Sequence, residues 1–168
     1  EILVTPTDGS GAKTSVIDSP WLEYGPDWSP DGKYLIYHRR QNSSNNNIPE
    51  LQYINMTGDQ KTIPFLQRPY GILMPRFSPD GRFVAYNSRE TEDGKVVVQS
   101  FPDGKGRWPI SVKNGKHARW SRDGKELFYV EDNNLMAVPI ETKGLFRAGR
   151  PKTLFMGADL NLDLNTTP

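Results

Sequence analysis

The sequence predicts an all-β fold, a partial β-propeller of about three and a half four-stranded antiparallel blades. Three observations carry that prediction. The 168-residue chain holds 15 glycines and 14 prolines, about 17 % of its length against the roughly 12 % of average usage. No segment repeats apolar residues at i, i+3, i+4 and i+7, so almost no helix is expected. One short motif recurs three times at blade-sized intervals.

The motif reads Pro26-Asp27-Trp28-Ser29-Pro30-Asp31-Gly32, Pro75-Arg76-Phe77-Ser78-Pro79-Asp80-Gly81 and Ala118-Arg119-Trp120-Ser121-Arg122-Asp123-Gly124. Its aromatic residues lie 49 and 43 positions apart, the length of one four-stranded blade. In each copy a short first strand ends on the aromatic. The Ser-Pro-Asp-Gly segment then turns the chain: Pro presets φ, Asp bonds its own backbone and Gly takes the left-handed position. Second strands follow at residues 33–38, 82–87 and 126–130. Polar loops at 39–47, 89–94 and 131–134 lead to third strands at 51–56, 95–100 and 135–140. Fourth strands are expected at 61–66, 107–113 and 152–156. Residues 1–5 and 13–17, joined through Asp8-Gly9, read as the third and fourth strands of an earlier blade. The organisation is thus one propeller segment: a half blade over 1–25 and blades over 26–74, 75–117 and 118–168, fourteen strands in all. A closed ring needs more blades, so the segment is expected to be part of a larger ring, with exposed blade edges open to self-association. Trp28, Phe77 and Trp120 are expected to be wedges between adjacent blades.

Composition excludes several function classes. Twenty-one basic residues face 20 acidic ones, for a net charge of +1. Counterion-driven binding needs a concentrated positive field, so no nucleic-acid partner is expected. Cysteine is absent, and His38 and His117 are the only histidines, which removes disulfides, thiol catalysis and nearly every zinc pattern. Apolar runs stay near four residues, so this segment is not expected to insert into a membrane. No Gly-x-Ser-x-Gly elbow occurs. No cofactor and no catalytic residue are expected.

The repeats resemble the TolB-type, WD-like β-propeller repeat of bacteria over essentially the whole chain. The third blade carries Trp120-Ser121-Arg122-Asp123-Gly124-Lys125-Glu126-Leu127-Phe128-Tyr129, then Leu135-Met136-Ala137-Val138-Pro139, then Phe146-Arg147-Ala148-Gly149-Arg150-Pro151. That run is similar to the C-terminal propeller of bacterial receptor-like Ser/Thr protein kinases. The resemblance implies the sensing part of such a protein, periplasmic or otherwise extracytoplasmic. No Gly-rich phosphate loop, His-Arg-Asp loop or Asp-Phe-Gly accompanies it, so it implies no kinase activity.

The expected function is recognition of a protein, peptide or small ligand by the loop-rich face, with a protein or peptide the expected partner. Two interblade loops repeat a Pro-aromatic pair, Pro20-Trp21 and Pro69-Tyr70. With Tyr24, Arg39, Arg40 and Arg68 they make an aromatic-plus-Arg set, the composition of binding hot spots. Capping of their own blades is the structural alternative for the same aromatics. Asp159, Asn161 and Asp163 sit at every second position and are calcium candidates, although position six of that run is Leu164 rather than Gly. Two rival classes remain open. One is the gating propeller of a prolyl-oligopeptidase-type serine peptidase, whose catalytic domain would lie elsewhere. The other is a carbohydrate-active or lactonase-type propeller with acidic or metal-binding residues in its channel. The channel positions Asp27, Arg76 and Arg119 hold a single carboxylate and weigh against the latter.

Overall fold

The structure, a computed structural model, describes residues 1–41 and 48–157, and every regular element among them is a strand. No helix crosses or could cross a membrane in this set. β1 (Ile2–Val4) and β2 (Thr14–Ile17) form an antiparallel ribbon. β3 (Leu22–Trp28), β4 (Tyr34–Arg40), β5 (Glu50–Asn55) and β6 (Thr62–Leu66) pair in chain order as the first full blade. The second blade is β7 (Ile72–Phe77), β8 (Phe83–Ser88), β9 (Lys95–Ser100) and β10 (Arg107–Pro109). The third blade holds β11 (Lys116–Trp120), β12 (Glu126–Glu131), β13 (Asn134–Glu141), β14 (Arg147–Ala148) and β15 (Lys152–Met156).

Two elements depart from expectation. β14 is an additional strand: β13 pairs Ile140 and Glu141 with β14 and pairs its other end, from Asn134 to Ala137, with β15. At eight residues β13 is long enough for both, and Pro151, which lacks an N–H, separates the two partners. β10 stops at Pro109 instead of reaching residue 113. Beyond it Ile110 and Ser111 both donate to the Val96 carbonyl, and the Ser111 hydroxyl accepts the Val96 N–H at 2.9 Å. A side chain has replaced the ladder there.

The Ser-x-Asp-Gly turn is a repeated hydrogen-bonded device. In the first blade the Ser29 hydroxyl donates to Asp31 Oδ1 at 2.7 Å and accepts the Tyr34 N–H at 2.8 Å, while Asp31 Oδ1 accepts the Lys33 N–H. Ser78 with Asp80, and Ser121 with Asp123, repeat it. Gly32, Gly81 and Gly124 take φ values of 70 to 71°, which glycine reaches without the steric cost of a Cβ. The turn sets the register of each hairpin, and a one-residue slip would flip every side chain to the other face.

The cores lie between sheets. Leu35, Tyr37 and Ile54 of the first blade pack on Ile2 and Ile17 of the ribbon. Ile36 on the opposite face packs with Phe77, Val84 and Phe101 of the second blade. Leu51, Leu66, Ile72, Tyr86 and Val97 form a neighbouring cluster between the same two blades. Phe83, Val98, Leu127, Tyr129 and Val138 join the second blade to the third. Phe101 is the hub of the first interface: its ring lies 4.9 to 5.4 Å from those of Phe77, Tyr53, Tyr34 and Phe65, three of them in the edge-on geometry that aromatic quadrupoles favour.

Two of the three expected wedges face the preceding blade. Phe77 is buried in the first interface. Trp120 packs on the core of the second and donates its indole N–H to the Arg76 carbonyl at 3.1 Å. Trp28 is different and corrects the expectation, being 43 % exposed. It pairs with Leu35 and so shares the face turned toward the ribbon. Phe77 meets Asp27 of β3 through its N–H, and the Trp120 indole meets Arg76 of β7, the first strands of the preceding blades, whereas the ribbon next to Trp28 has only the two strands β1 and β2. Phe101→Ala is therefore expected to cost about 3–5 kcal/mol, as emptying a buried aromatic site does. Trp28→Ala is expected to cost under about 1 kcal/mol. Urea unfolding midpoints of the two variants check the contrast.

Candidate functional site

Strand alternation sorts the aromatic and arginine residues of the first blade onto two faces. Leu22 pairs with Arg40, Glu23 with Arg39 and Tyr24 with His38. Arg39 lies on the face of Tyr37, toward the ribbon. There its guanidinium stacks 4.3 Å from the Trp21 ring centroid and pairs with Glu50 at 2.8 Å. Glu50 also accepts hydrogen bonds from Gln52 and Gln67, both at 2.9 Å. Tyr24, His38 and Arg40 take the opposite face, toward the second blade.

A bulge keeps that second group together. Between Tyr24 and Asp27 the first strand carries one residue more than β4, and the same shift recurs between Leu73 and Arg76 and between Lys116 and Arg119. The extra residue sits three before each repeated aromatic, at Gly25, Met74 and His117, with φ of 58, 54 and 59°. One added residue reverses the parity of the strand. Tyr24 and Asp27, three apart, thus face the same side. Asp27 Oδ2 accepts the Phe77 N–H at 2.7 Å and ties the two innermost strands together. A Cβ at Gly25 would only make ordinary contact with the His38 ring at 3.4 Å, so it is the positive φ that favours glycine there.

At the loop-rich end of this junction is a cleft of about 540 Å3, within the size range of small-ligand sites. Tyr24, His38 and Arg40 form one wall; Met74, Arg76 and Arg89 form the other. Pro49 and Leu73 add apolar surface. The Tyr24 and His38 rings stack at 5.5 Å, and the Arg40 guanidinium lies 5.4 Å from the Tyr24 ring centroid. Arg76 donates to the carbonyls of Gly25 and Pro75 at 3.2 and 2.7 Å. His38 Nδ1 accepts the Met74 N–H at 3.4 Å, which leaves the ring proton on Nε2. Burial, and then Arg40, Arg76 and Arg89, push the imidazole down to about 4, so it is neutral at physiological pH. Burial holds the Asp27 carboxyl above its ordinary range, although the Phe77 N–H, Arg76 and Arg119 pull the other way.

Of the residues singled out from sequence, the structure brings Tyr24 and Arg40 into this cleft. Trp21 and Arg39 lie on the other face of the same blade. Tyr70 packs against the interblade cluster around Leu51, Leu66 and Tyr86, the capping alternative for that side chain. Arg68 is exposed on the β6–β7 connection and is not among the cleft-lining residues. The calcium candidates Asp159, Asn161 and Asp163 lie outside the described residues, as does most of the polar loop after β4. His38, Met74, Arg76 and Arg89 were missed as site residues. The signal for His38 was its position two before Arg40 on a strand. Arg76 and Arg89 reach the site only through the docking of one blade on the next.

His38 gives a pH test. Its folded-state pKa lies below the ordinary 6.5, so between pH 6.5 and 4 the unfolded chain binds more protons there than the folded one, and stability falls as pH falls. The contribution is fully present above pH 6.5 and is lost down to about pH 4, where the folded imidazole titrates. His38→Gln is expected to abolish up to about 3 kcal/mol of that pH dependence. Chemical denaturation of both proteins at pH 7.5, 6, 5 and 4 measures it.

No protein-family model matches the chain, and no curated protein sequence matches it. Solved structures do. TolB from Acinetobacter baumannii superposes with a TM-score of 0.61 at 17 % identity, over 87 % of this chain and 36 % of that one. A putative TolB from Agrobacterium tumefaciens gives 0.64 at 19 % identity, over 88 % and 54 %. An oligogalacturonate lyase in complex with manganese gives 0.63 at 14 % identity, over 84 % and 45 %. The chain thus spans about a third to a half of these relatives. At such identities the likeness concerns fold alone: the chain is an all-β partial propeller whose blades superpose on those of these structures.

Proposed function

We propose that this propeller segment is a non-catalytic recognition module that engages a protein or peptide partner through the cleft between its first and second blades. The carrying observation is the cleft's composition. A half-exposed Tyr24, stacked on a buried imidazole and covered by Arg40, stands opposite Met74, Leu73 and Arg89. Aromatic and Arg side chains over an apolar floor make a binding hot spot, and binding residues on a rigid sheet scaffold are a common arrangement. The only imidazole in the cleft is neutral, with its Nδ1 occupied by the Met74 N–H, and its low basicity suits positioning better than general-base work. Resemblance of residues 120–151 to receptor-like kinase propellers supports a sensor acting in the periplasm or another extracytoplasmic space.

The test is a random heptapeptide array probed with the 168-residue chain. Tyr24→Ala is expected to weaken the selected peptides at least tenfold with an unchanged unfolding midpoint. Trp21→Ala, on the opposite face, is expected to leave them unaffected. Equal binding by wild type and Tyr24→Ala would place recognition elsewhere, and turnover of a substrate by the purified chain would defeat the non-catalytic reading.

A further inference from the structure

We infer that the cleft is built to take a carboxylate, the acidic side chain or terminal carboxylate of a peptide, between Arg40, Arg76 and Arg89. This rests on the reading of the cleft as the recognition site and adds the chemistry of the group it holds. Three guanidiniums converge there, and among the described residues no Asp or Glu lines it. Asp27, outside the lining, acts on Arg76, so three cations share one nearby carboxylate. Gathering like charges in excess of their counter-charge is unfavourable, the more so where burial weakens screening, and an incoming anion relieves it.

A second observation points the same way. Among the described residues, the buried Nε–H of Arg40 has no acceptor, and its Nη2 reaches only the Tyr24 hydroxyl at 3.4 Å. Buried donors left unpaired are costly and are normally satisfied. Arg39, next in sequence, shows the contrast: its Nε and Nη2 both bind Glu50 at 2.8 Å. Arg40 thus has the donor fork that carboxylates occupy and, among the described residues, no carboxylate hydrogen-bonded to it. Arg76 is half committed, since one nitrogen serves the Gly25 and Pro75 carbonyls. It stabilises the anion chiefly through its charge. Arg89 is exposed at the mouth and supplies the contact that a ligand meets first. The neutral His38 is consistent with this, for a fourth positive charge is held out of the cleft. Its Nε2 proton remains a donor. The Tyr24 ring, Met74 and Pro49 would cover the aliphatic part of the bound residue.

The experiment is an NMR titration of the arginine Nε–Hε signals with four short peptides. They are acetyl-Ala-Glu-Ala-amide, acetyl-Ala-Gln-Ala-amide, acetyl-Ala-Lys-Ala-amide and acetyl-Ala-Ala-Ala with a free terminal carboxylate. The Glu peptide, the free-acid peptide or both are expected to shift the Arg40 signal with a saturable profile, and the Gln and Lys peptides to leave it in place. The two acidic peptides separate a side-chain source of the carboxylate from a terminal one. Arg89→Gln, at an exposed position, is expected to keep the wild-type melting midpoint and weaken the acidic peptide at least fivefold. Arg40→Gln is expected to abolish its binding. Equal shifts by all four peptides would overturn the carboxylate inference and leave recognition in the cleft standing. Acidic peptides that shift only signals remote from the cleft would overturn both. Undiminished binding in Arg89→Gln and Arg40→Gln would overturn the assignment of these arginines.

Discussion

One extra residue in the innermost strand of each blade is the constraint on which the rest of this structure depends. The bulge at Gly25, Met74 and His117 lies three positions before the repeated aromatic. A regular strand would send residues three apart to opposite faces. The bulge instead puts Tyr24 and Asp27 on one face and Trp28 on the other. Asp27 can then cap the Phe77 N–H of the next blade, while the aromatic turns back toward the preceding one. Removing the bulge would turn one half of each first strand against the wrong neighbour.

The same parity explains why neighbouring residues of one strand have separate fates. Leu35, Tyr37 and Arg39 look toward the β1–β2 ribbon, whereas Ile36, His38 and Arg40 look toward the second blade. The first two blades bury apolar side chains on both faces, so their stability depends on stacking. The first interblade core is correspondingly aromatic, with Phe101 meeting four rings. Toward the loop-rich end the same interface becomes polar, and the cleft opens where His38, Arg40 and Arg89 take over from Ile36, Phe77 and Val84. A recognition site at that position has walls held by the packing beneath it.

Much of the fold was legible because its signals are local. The third strand at 95–100 and the fourth at 152–156 agree with β9 and β15 residue for residue. Ser29, Asp31 and Gly32 and their repeats announce a turn whose hydrogen bonds span only five residues. The errors arose where non-local pairing or packing decides. β14 exists because β13 has a free end to pair with. Trp28 shares the motif of Phe77 and Trp120, yet its burial depends on what the adjoining sheet offers. For the site, Tyr24 and Arg40 were legible as an aromatic and a cation near one strand end. Their separation from Trp21 and Arg39 follows from register, and Tyr70 was claimed by the core.

By itself, then, the sequence determined the repeat, the turn chemistry, the strands and hence the propeller fold, since each rests on residues within a few positions of one another. Only the tertiary structure decided which charges meet. Arg40, Arg76 and Arg89 come from β4, β7 and the segment after β8, and they converge because two blades dock face to face. Even Asp27 and Phe77, 50 residues apart, meet through the bulge that aims one at the other. Linear spacing carries no record of such approaches, because the distance between blades is set by packed side chains and not by the chain that connects them.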